Sequence, residues 1–456
     1  MARRIYRFLL VCFCASHALA ADTLYQGGDS LKSSNTLVSK NGLFTLGFVR
    51  IGSAESSAGY LGIWYNSDTS HPFWLANRDK PIADNSGVLA LDGSGNMKLT
   101  YSGGDLVDFY SSPSSTTNLT AVLEDTGNFV LTDANSRSDR ILWQSFDDPT
   151  DTFLPGMKLG INHTSGQTRS LMSWLSEVVP TPAGPFTLEW DPNGKEFVIK
   201  RRDVIYWTSG PLRNNTFENI PPNLGVLDNS FINVSKADDD FIMFTVSANH
   251  FAPQDQKIFS MWRITYDGYI EDPLTNQGHG GISCKGNNTN TGCEKWSGPA
   301  CRSSMNSFEL KWGSFDYTIS LMDDTSNLSI SDCMDICWKN CSCLGVSTRA
   351  NNDNNTGCTF SSGNFTPDPD GSAIRFYVIV GQVSSVDVGK RNWLLIILAP
   401  VGFVSMMGLA GLLWYLRRRK LREEKYLKEL LTLDSTNDTP ELENDGNKGH
   451  NLKTTY

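Results

Sequence analysis

From residue 21 to residue 283 the sequence has no cysteine, so whatever folds there is held by an ordinary apolar core, which a stretch of that length can build. Basic residues are also in short supply. Lys and Arg total 39 against 49 Asp and Glu, a net charge of −10, and no basic stripe of the kind that binds nucleic acid is present. Histidine is scarce too. His17, His71, His163, His250, His279 and His450 are scattered, and their spacing argues for no Ser-His-Asp arrangement or carboxylate pair, which leaves a hydrolase the weakest reading.

Apolar runs stand out at two places. FLLVCFCA follows Arg3, Arg4 and Arg7 and precedes Ala18-Leu19-Ala20: a basic start, an apolar core and a small-residue cleavage site. Residues 1–20 read as a signal peptide, with the mature chain starting near Ala21. WLLIILAPVGFVSMMGLAGLLWYL at 393–416 holds 24 residues without a charge, and about 20 apolar residues suffice to cross a bilayer as a helix. Pro400 is tolerated in such a helix. Trp393, Trp414 and Tyr415 stand at its ends, and the cluster of Arg417, Arg418, Arg419, Lys420 and Arg422 predicts a cytoplasmic C-terminal side. The same cluster suits anionic lipid. The expected topology is single-pass type I in the plasma membrane with the N-terminus outside. The tail 417–456 is too short for an enzyme domain.

Once Cys12 and Cys14 leave with the leader, Cys284, Cys293, Cys301, Cys333, Cys337, Cys341, Cys343 and Cys358 remain, all in the outer part. An even number in an oxidising compartment implies disulfides, although spacing alone chooses no partners. The C-x3-C-x-C run at Cys337, Cys341 and Cys343 has no nearby His and no second pair at a distance, so no metal or cofactor is expected. Asn118, Asn162, Asn214, Asn233, Asn287, Asn327, Asn354 and Asn364 open N-x-S/T sequons and are expected glycosylation sites on surface loops. Asn340 also fits but abuts Cys341, and Asn437 fits but falls on the cytoplasmic side.

Residues 21–150 read as all-β: short alternating runs such as GLFTLGFV and GVLALDG are parted by Gly, Asn, Asp and Ser turns. LALDGSGNMKL around Asn96 returns as VLEDTGNFVL around Asn128, a spacing of 32 residues, each copy a strand, a Gly-Asn turn and a strand. Trp64, Trp74 and Trp143 are expected in the core. Residues 151–283 continue as tandem hairpins with NG in DPNGK and DG in YDGY as turn signals. A cysteine-rich segment, 284–378, follows, then a polar linker, 379–392. Beyond the membrane, Leu421, Leu427, Leu430 and Leu431 share one face of a short amphipathic helix, and the polar remainder reads as disordered.

GYLGIWY (59–65), WLANRDKPIADNSGVLAL (74–91), LWQSFDDPTDTFLPGMKLG (142–160), LMSWLS (171–176) and NLSISDCMDICWKNCSCLG (327–345) occur in this order. Together they resemble the ectodomain of the plant S-domain, or G-type lectin, receptor-like serine/threonine kinases. The resemblance implies a mainly β protein. It would carry a bulb-type lectin β-prism domain over 21–150, an S-locus-glycoprotein-like β domain over 151–283, a disulfide-bonded PAN/apple α+β domain over 284–378 and a single transmembrane helix. It further implies the pairs Cys333–Cys358 and Cys337–Cys343, leaving Cys284, Cys293, Cys301 and Cys341 to pair in unknown order. An EGF-like module, usual in the family, is not apparent. In the family a kinase follows the membrane helix. Residues 417–456 contain no Gly-rich phosphate loop, lysine strand, HRD or DFG. Asn77-Arg78-Asp79 superficially matches a catalytic loop but sits among outer strands, so Asp79 reads as turn or core polar chemistry.

Bulb-type lectins hold mannose through Q-x-D-x-N-x-V-x-Y. Here the copies align as Asp92, Ser94, Asn96, Lys98, Thr100 and Glu124, Thr126, Asn128, Val130, Thr132. Only the Asn positions, with Val130, survive, so Asn96 and Asn128 read first as turn and fold residues of a degenerate lectin motif. The favoured function is a single-pass cell-surface receptor-like protein without its own catalytic domain. It would recognise an extracellular ligand (peptide, glycan or protein) and associate with itself or with related receptor kinases. Alternatives are a receptor-like serine/threonine protein kinase whose catalytic part lies beyond this sequence and a membrane-anchored mannose-type lectin.

Overall fold

Strands form wherever apolar residues alternate, and their inward set builds the core. Leu119–Leu123 and Phe186–Asp191 bury every second side chain, which is the period-2 pattern of a strand with one face on a core. The computed structural model describes residues 21–381, apart from short stretches of which 249–258 is the longest, together with 407–426 and 428. The leader 1–20, nearly all of the linker, residues 393–406 of the expected membrane segment, His250, Asn437 and most of the tail lie outside the described residues. Residues 407–426 are helical, and no helix among the described residues is long and apolar enough to cross a membrane.

Residues 23–144 make three four-stranded antiparallel sheets. One holds Leu37–Val38, Phe44–Ile51, Ala58–Tyr65 and Trp74–Leu75, in that order. The next holds Leu31–Lys32, Val88–Leu91, Met97–Thr100 and Val107–Tyr110. The last holds Thr23–Tyr25, Leu119–Leu123, Phe129–Asp133 and Ile141–Gln144. The sheets meet pairwise around Phe44, Leu46, Met97, Leu99, Leu119 and Leu131, none more than 1% exposed. This is a β-prism. Trp74 is buried and packs against Trp143, whereas Trp64 lies half-buried at the surface, so only part of the expected tryptophan core forms.

The stretch after it repeats the plan, which the tandem-hairpin reading did not foresee. Leu171–Met172, Phe186–Asp191, Glu196–Arg201 and Val204–Thr208 form one four-stranded sheet. Thr168–Arg169, Leu159–Asn162, Asp239–Ala248 and Leu227–Ser235 form another. Thr152–Phe153, Trp262–Ile264, Ile270–Asp272 and Gln277–Gly280 form the third. Their core is aromatic: Phe153, Phe186, Phe197, Phe244 and Trp262 are all buried. The hairpin joining Glu196–Arg201 to Val204–Thr208 turns at Arg202 and Asp203, with φ of 47° and 67°. Asp203 suits that left-handed turn, but Arg202 is not a usual choice for it. Arg202 is held there by a two-pronged bond to Asp332, at 3.1 and 2.8 Å.

In the cysteine-rich segment Ser307–Met322, Cys358–Pro367, Gly345–Ser347 and Arg375–Val380 close into a small barrel. Helix α1, Ile330–Lys339, packs on it. Ser329 starts α1 with a capping box shared with Asp332, and the Arg302 guanidinium closes its other end by donating to the Cys337, Trp338, Asn340 and Cys343 carbonyls. Disulfides join Cys333 to Cys358, Cys337 to Cys343, Cys301 to Cys341 and Cys284 to Cys293. The last pair staples the lead-in loop, which bridges to Trp207 of the second three-sheet unit.

Arg78 makes the seam between the two three-sheet units. Its Nε donates to the Pro180 carbonyl at 2.8 Å and its Nη1 to Met172 at 2.7 Å, and its Nη2 donates to Ser173. Asn77 beside it donates to the Gly59 and Lys80 carbonyls and accepts from the Leu61 amide, so the loop cannot slide. Trp174 packs on Ile51, Tyr60 and Leu75 across the same seam. Removing a buried donor orphans every acceptor it served, at about 1–3 kcal/mol each. Arg78→Leu is therefore expected to destabilise the protein by about 3 kcal/mol or more, read as a lower denaturation midpoint, and Arg78→Lys should recover only a minor part, since one ammonium cannot span three carbonyls.

Candidate functional site

The degenerate lectin positions are turn residues. Gly95 and Gly127 hold φ of 86° and 85°, and their amides bond the Asp92 and Glu124 carbonyls at 3.0 Å. Asn96 donates to the Asp92 carboxylate and accepts the Ser112 amide, and backbone bonds from Asn96 hold that carboxyl below its usual range. Asn128 donates to Gln144 at 2.9 Å and accepts from Ser145 Oγ and the Phe146 amide. Lys98, another motif position, lies 3.6 Å from Asp108. The amide groups that would meet sugar hydroxyls are already paired.

Two further copies of this turn are present that spacing did not disclose. Gly42 bonds the Ser39 carbonyl, and Gly268 bonds Thr265, with φ of 73° and 89°. In each of the four the residue two after the glycine, Phe44, Met97, Phe129 or Ile270, is at most 1% exposed. The signal was the pattern of glycine, any residue, then a buried apolar one, without the Asn that marked the visible pair. Asn41 ties the Ser39 turn to the Glu124 turn through the Asp125 carboxylate and carbonyl.

Concave places among the described residues offer other candidates. A cleft of about 500 Å3 at the Arg78 seam is lined by Asn77, Asp79, Asp108, Asp148 and Thr150. Burial and the neighbouring Asp147 push the Asp148 carboxyl up. A groove between the second three-sheet unit and the barrel carries Tyr266, Tyr269 and Tyr377, whose phenols burial pushes well up, with Asp267 ion-paired to Lys285 at 3.1 Å. The third, about 420 Å3, has exposed Asn215, Thr216 and Pro221 at its mouth and buried Phe217, Trp262 and His279 in its depth.

The fold also assembles a His–Asp pair from residues 80 apart. His71 Nε2 lies 2.6 Å from Asp151 and its ring stacks on Trp174 at 3.9 Å. Ser176 lines the same hollow, but its hydroxyl donates to the Asn354 carbonyl rather than to the imidazole, so no nucleophile–base pair is made. Among the described residues no cluster of three or more His, Cys, Asp or Glu has the makings of a metal site.

The sequons divide by burial. Asn118, Asn214, Asn327, Asn340 and Asn364 are exposed, and Asn162, Asn233 and Asn354 are half-buried. Asn287 departs from the expectation of a glycosylated loop. It is 7% exposed, and its amide nitrogen donates to the Ser303 carbonyl at 2.5 Å, so the atom that would carry a glycan is committed to the interior.

Comparison with known proteins places these features. Residues 72–175, including the Arg78 seam, match the D-mannose binding lectin family. The S-receptor-like serine/threonine-protein kinase CES101 of Arabidopsis thaliana, a G-type lectin protein by name, is 30% identical over 393 residues, 77% of this chain and 45% of that one. The S-locus-specific glycoprotein BS29-1 of Brassica oleracea var. alboglabra is 34% identical over 284 residues, 58% of this chain and 60% of that one. The chain belongs to the plant S-domain family. It spans less than two thirds of the length of these S-domain relatives, which include kinases and S-locus glycoproteins. Among solved structures a monomeric monocot mannose-binding lectin from Gastrodia elata aligns at 19% identity over 27% of this chain and 96% of that one, with a TM-score of 0.21, a superposition too poor to bear on the fold.

His279 makes the third cavity of this S-domain chain sensitive to pH. Burial against Trp262, 4.3 Å away ring to ring, lowers its pKa to about 4. The unfolded chain takes up this proton near pH 6.5 and the folded chain near 4, so His279 costs nothing above 6.5 and destabilises progressively as pH falls from 6.5 to 4. The loss by pH 4 is about 3 kcal/mol. Thermal midpoints measured from pH 7 to pH 4 should fall less steeply for His279→Gln than for the natural protein.

Proposed function

We propose that this chain is a receptor-like cell-surface protein. Its outer body recognises an extracellular ligand or a partner receptor, and no catalytic domain lies within residues 1–456. The 393–416 segment anchors it, with the leader removed and residues 417–456 inside. The observation that carries the reading is the alignment with CES101, named as an S-receptor-like kinase: what is shared fills 77% of this chain and 45% of that protein. Four disulfides and exposed sequons support an oxidising, extracellular setting for the body. In this reading residues 21–150 are the bulb-type lectin domain, 151–283 the S-locus-glycoprotein-like domain and 284–378 the PAN/apple domain, with the disulfide-stapled barrel and α1 as the core of the last.

Binding rather than catalysis suits the geometry. The Arg78 seam and the Arg201–Asp335 and Arg202–Asp332 ion pairs, 2.7 and 2.8 Å, hold three units as one surface, and rigid concave surfaces recognise well because little is ordered on binding. A chain with such a body and a related receptor kinase would engage the same ligand or each other. A second reading, a kinase whose catalytic part lies beyond this sequence, is favoured by the length and name of CES101. Transcript sequencing past codon 456 separates the two: an open frame running into a Gly-rich loop selects the kinase.

Co-precipitation from membranes, with and without added ligand extracts, is expected to recover a related receptor kinase with this chain; no association under either condition sinks the receptor-like reading. Because the Asn128 amide is spent inside the turn, Asn128→Ala is expected to lower stability by about 1–3 kcal/mol. It should leave passage over a mannose column unchanged. Retention of the natural protein, displaced by mannose and lost in Asn128→Ala, would select the mannose-lectin reading instead.

A further inference from the structure

The cavity of about 420 Å3 in the second three-sheet unit is within the range of small-ligand pockets. Three of the residues that line it carry a buried polar atom with no hydrogen-bond partner among the described residues: Trp262 Nε1, His279 Nε2 and Asn229 Oδ1. Trp262 and His279 are 1% and 4% exposed. A buried polar group left unpaired costs about 1–3 kcal/mol, and three on one cavity is a debt that natural interiors seldom carry. The indole N–H is a donor and the amide oxygen an acceptor, so the missing partner must both accept and donate. A hydroxyl does both.

The rest of the lining narrows the class. Phe217 and Phe231 stand edge to face at 5.0 Å, with Ile220 and Pro221 beside them, and offer an apolar wall. Among the described residues no Lys or Arg lines the cavity, so an anion finds no counter-charge from them. An alkylammonium cation would suit the rings and the Asp228 carboxylate but leave the indole N–H unmet. A purely aliphatic ligand would leave all three atoms unmet. We propose that this cavity binds a neutral pyranose sugar, its C–H face on the Phe217 and Phe231 rings and its hydroxyls on Trp262, His279 and Asn229. The site is separate from the degenerate lectin turns at Asn96 and Asn128, which lie in the first three-sheet unit. It rests on the receptor-like reading only for the source of the sugar, since binding itself requires no partner receptor. Asn214, an exposed sequon residue, adjoins the mouth at Asn215, so a glycan attached there would stand at the entrance.

The test uses the full chain, purified in a sugar-free detergent and treated to remove N-glycans. Titration calorimetry is run with the methyl glycosides of glucose, galactose and mannose and with N-acetylglucosamine. At least one is expected to bind saturably, and Trp262→Phe and Asn229→Ala are each expected to weaken it about tenfold (1.4 kcal/mol). Trp262→Phe keeps an aromatic ring and removes the N–H, and a matched thermal midpoint confirms its fold. Lys98→Ala and Thr126→Val, in the first unit, should leave binding unchanged. No saturable binding of any of these sugars overturns the proposal and leaves the receptor-like reading standing, the cavity then being filled by water. Binding lost in Lys98→Ala or Thr126→Val, but kept in Trp262→Phe and Asn229→Ala, also overturns it.

Discussion

Arg78 is 9% exposed, and the three groups that accept hydrogen bonds from its guanidinium are backbone carbonyls from residues about 100 positions away. Among the described residues no carboxylate contacts this buried cation directly, and burial accordingly lowers its pKa, opposed by the fields of Asp151, Asp79 and Tyr60. Such a group is tolerated only where its fork meets acceptors in one geometry. That geometry requires the strand Ala58–Tyr65, the loop at Asn77 and the segment 172–180 to be placed together. Trp174, packed on Tyr60 and stacked on His71, can sit where it does only once this seam is closed. The seam thus fixes how the two three-sheet units share one face.

The same economy explains what became of the sugar motif. In the copies around Asn96 and Asn128 the side chains that a lectin would present to hydroxyls serve the turn: Asn96 closes on Asp92, and Asn128 is wedged between Gln144, Ser145 and Phe146. A short amide can satisfy a loop or a ligand with the same atoms, not both. The lectin architecture persists because it depends on glycine at positive φ and on a buried apolar residue two positions later, neither of which requires sugar. The fold and the site separate here residue by residue.

The cysteine-rich end solves a different problem. A four-stranded barrel with one ten-residue helix buries little apolar surface, and four disulfides compensate. It is joined to the unit before it by charge as well as by packing: Arg201 reaches Asp335 and lies over the Trp296 ring at 3.9 Å, while Arg202 forks to Asp332 at the N-terminus of α1, where a carboxylate also meets the helix dipole. The hairpin turn at Arg202 and Asp203 is strained for the same reason that it is useful. It aims a guanidinium at a helix start that a glycine turn could not reach.

Alternation, turn glycines and cysteine counts are local in sequence. They made the mainly β character, the Asn96 and Asn128 turns, the stapled third segment and the family legible without coordinates. The third and fourth copies of the turn, at Ser39 and Thr265, were hidden because their shared feature is burial rather than residue identity. The second set of three sheets was hidden because three of its strands are only two residues long, below any period. The burial of Asn287, the Arg78 seam, the pairing of His71 with Asp151 and the convergence of Trp262, His279 and Asn229 on one cavity join residues far apart in the chain. Sequence by itself determined the mainly β class of fold and the family, because those follow from local pattern. Tertiary structure alone decided which polar groups are spent inside the protein and which remain to meet a ligand, because that depends on what the chain brings back to each of them.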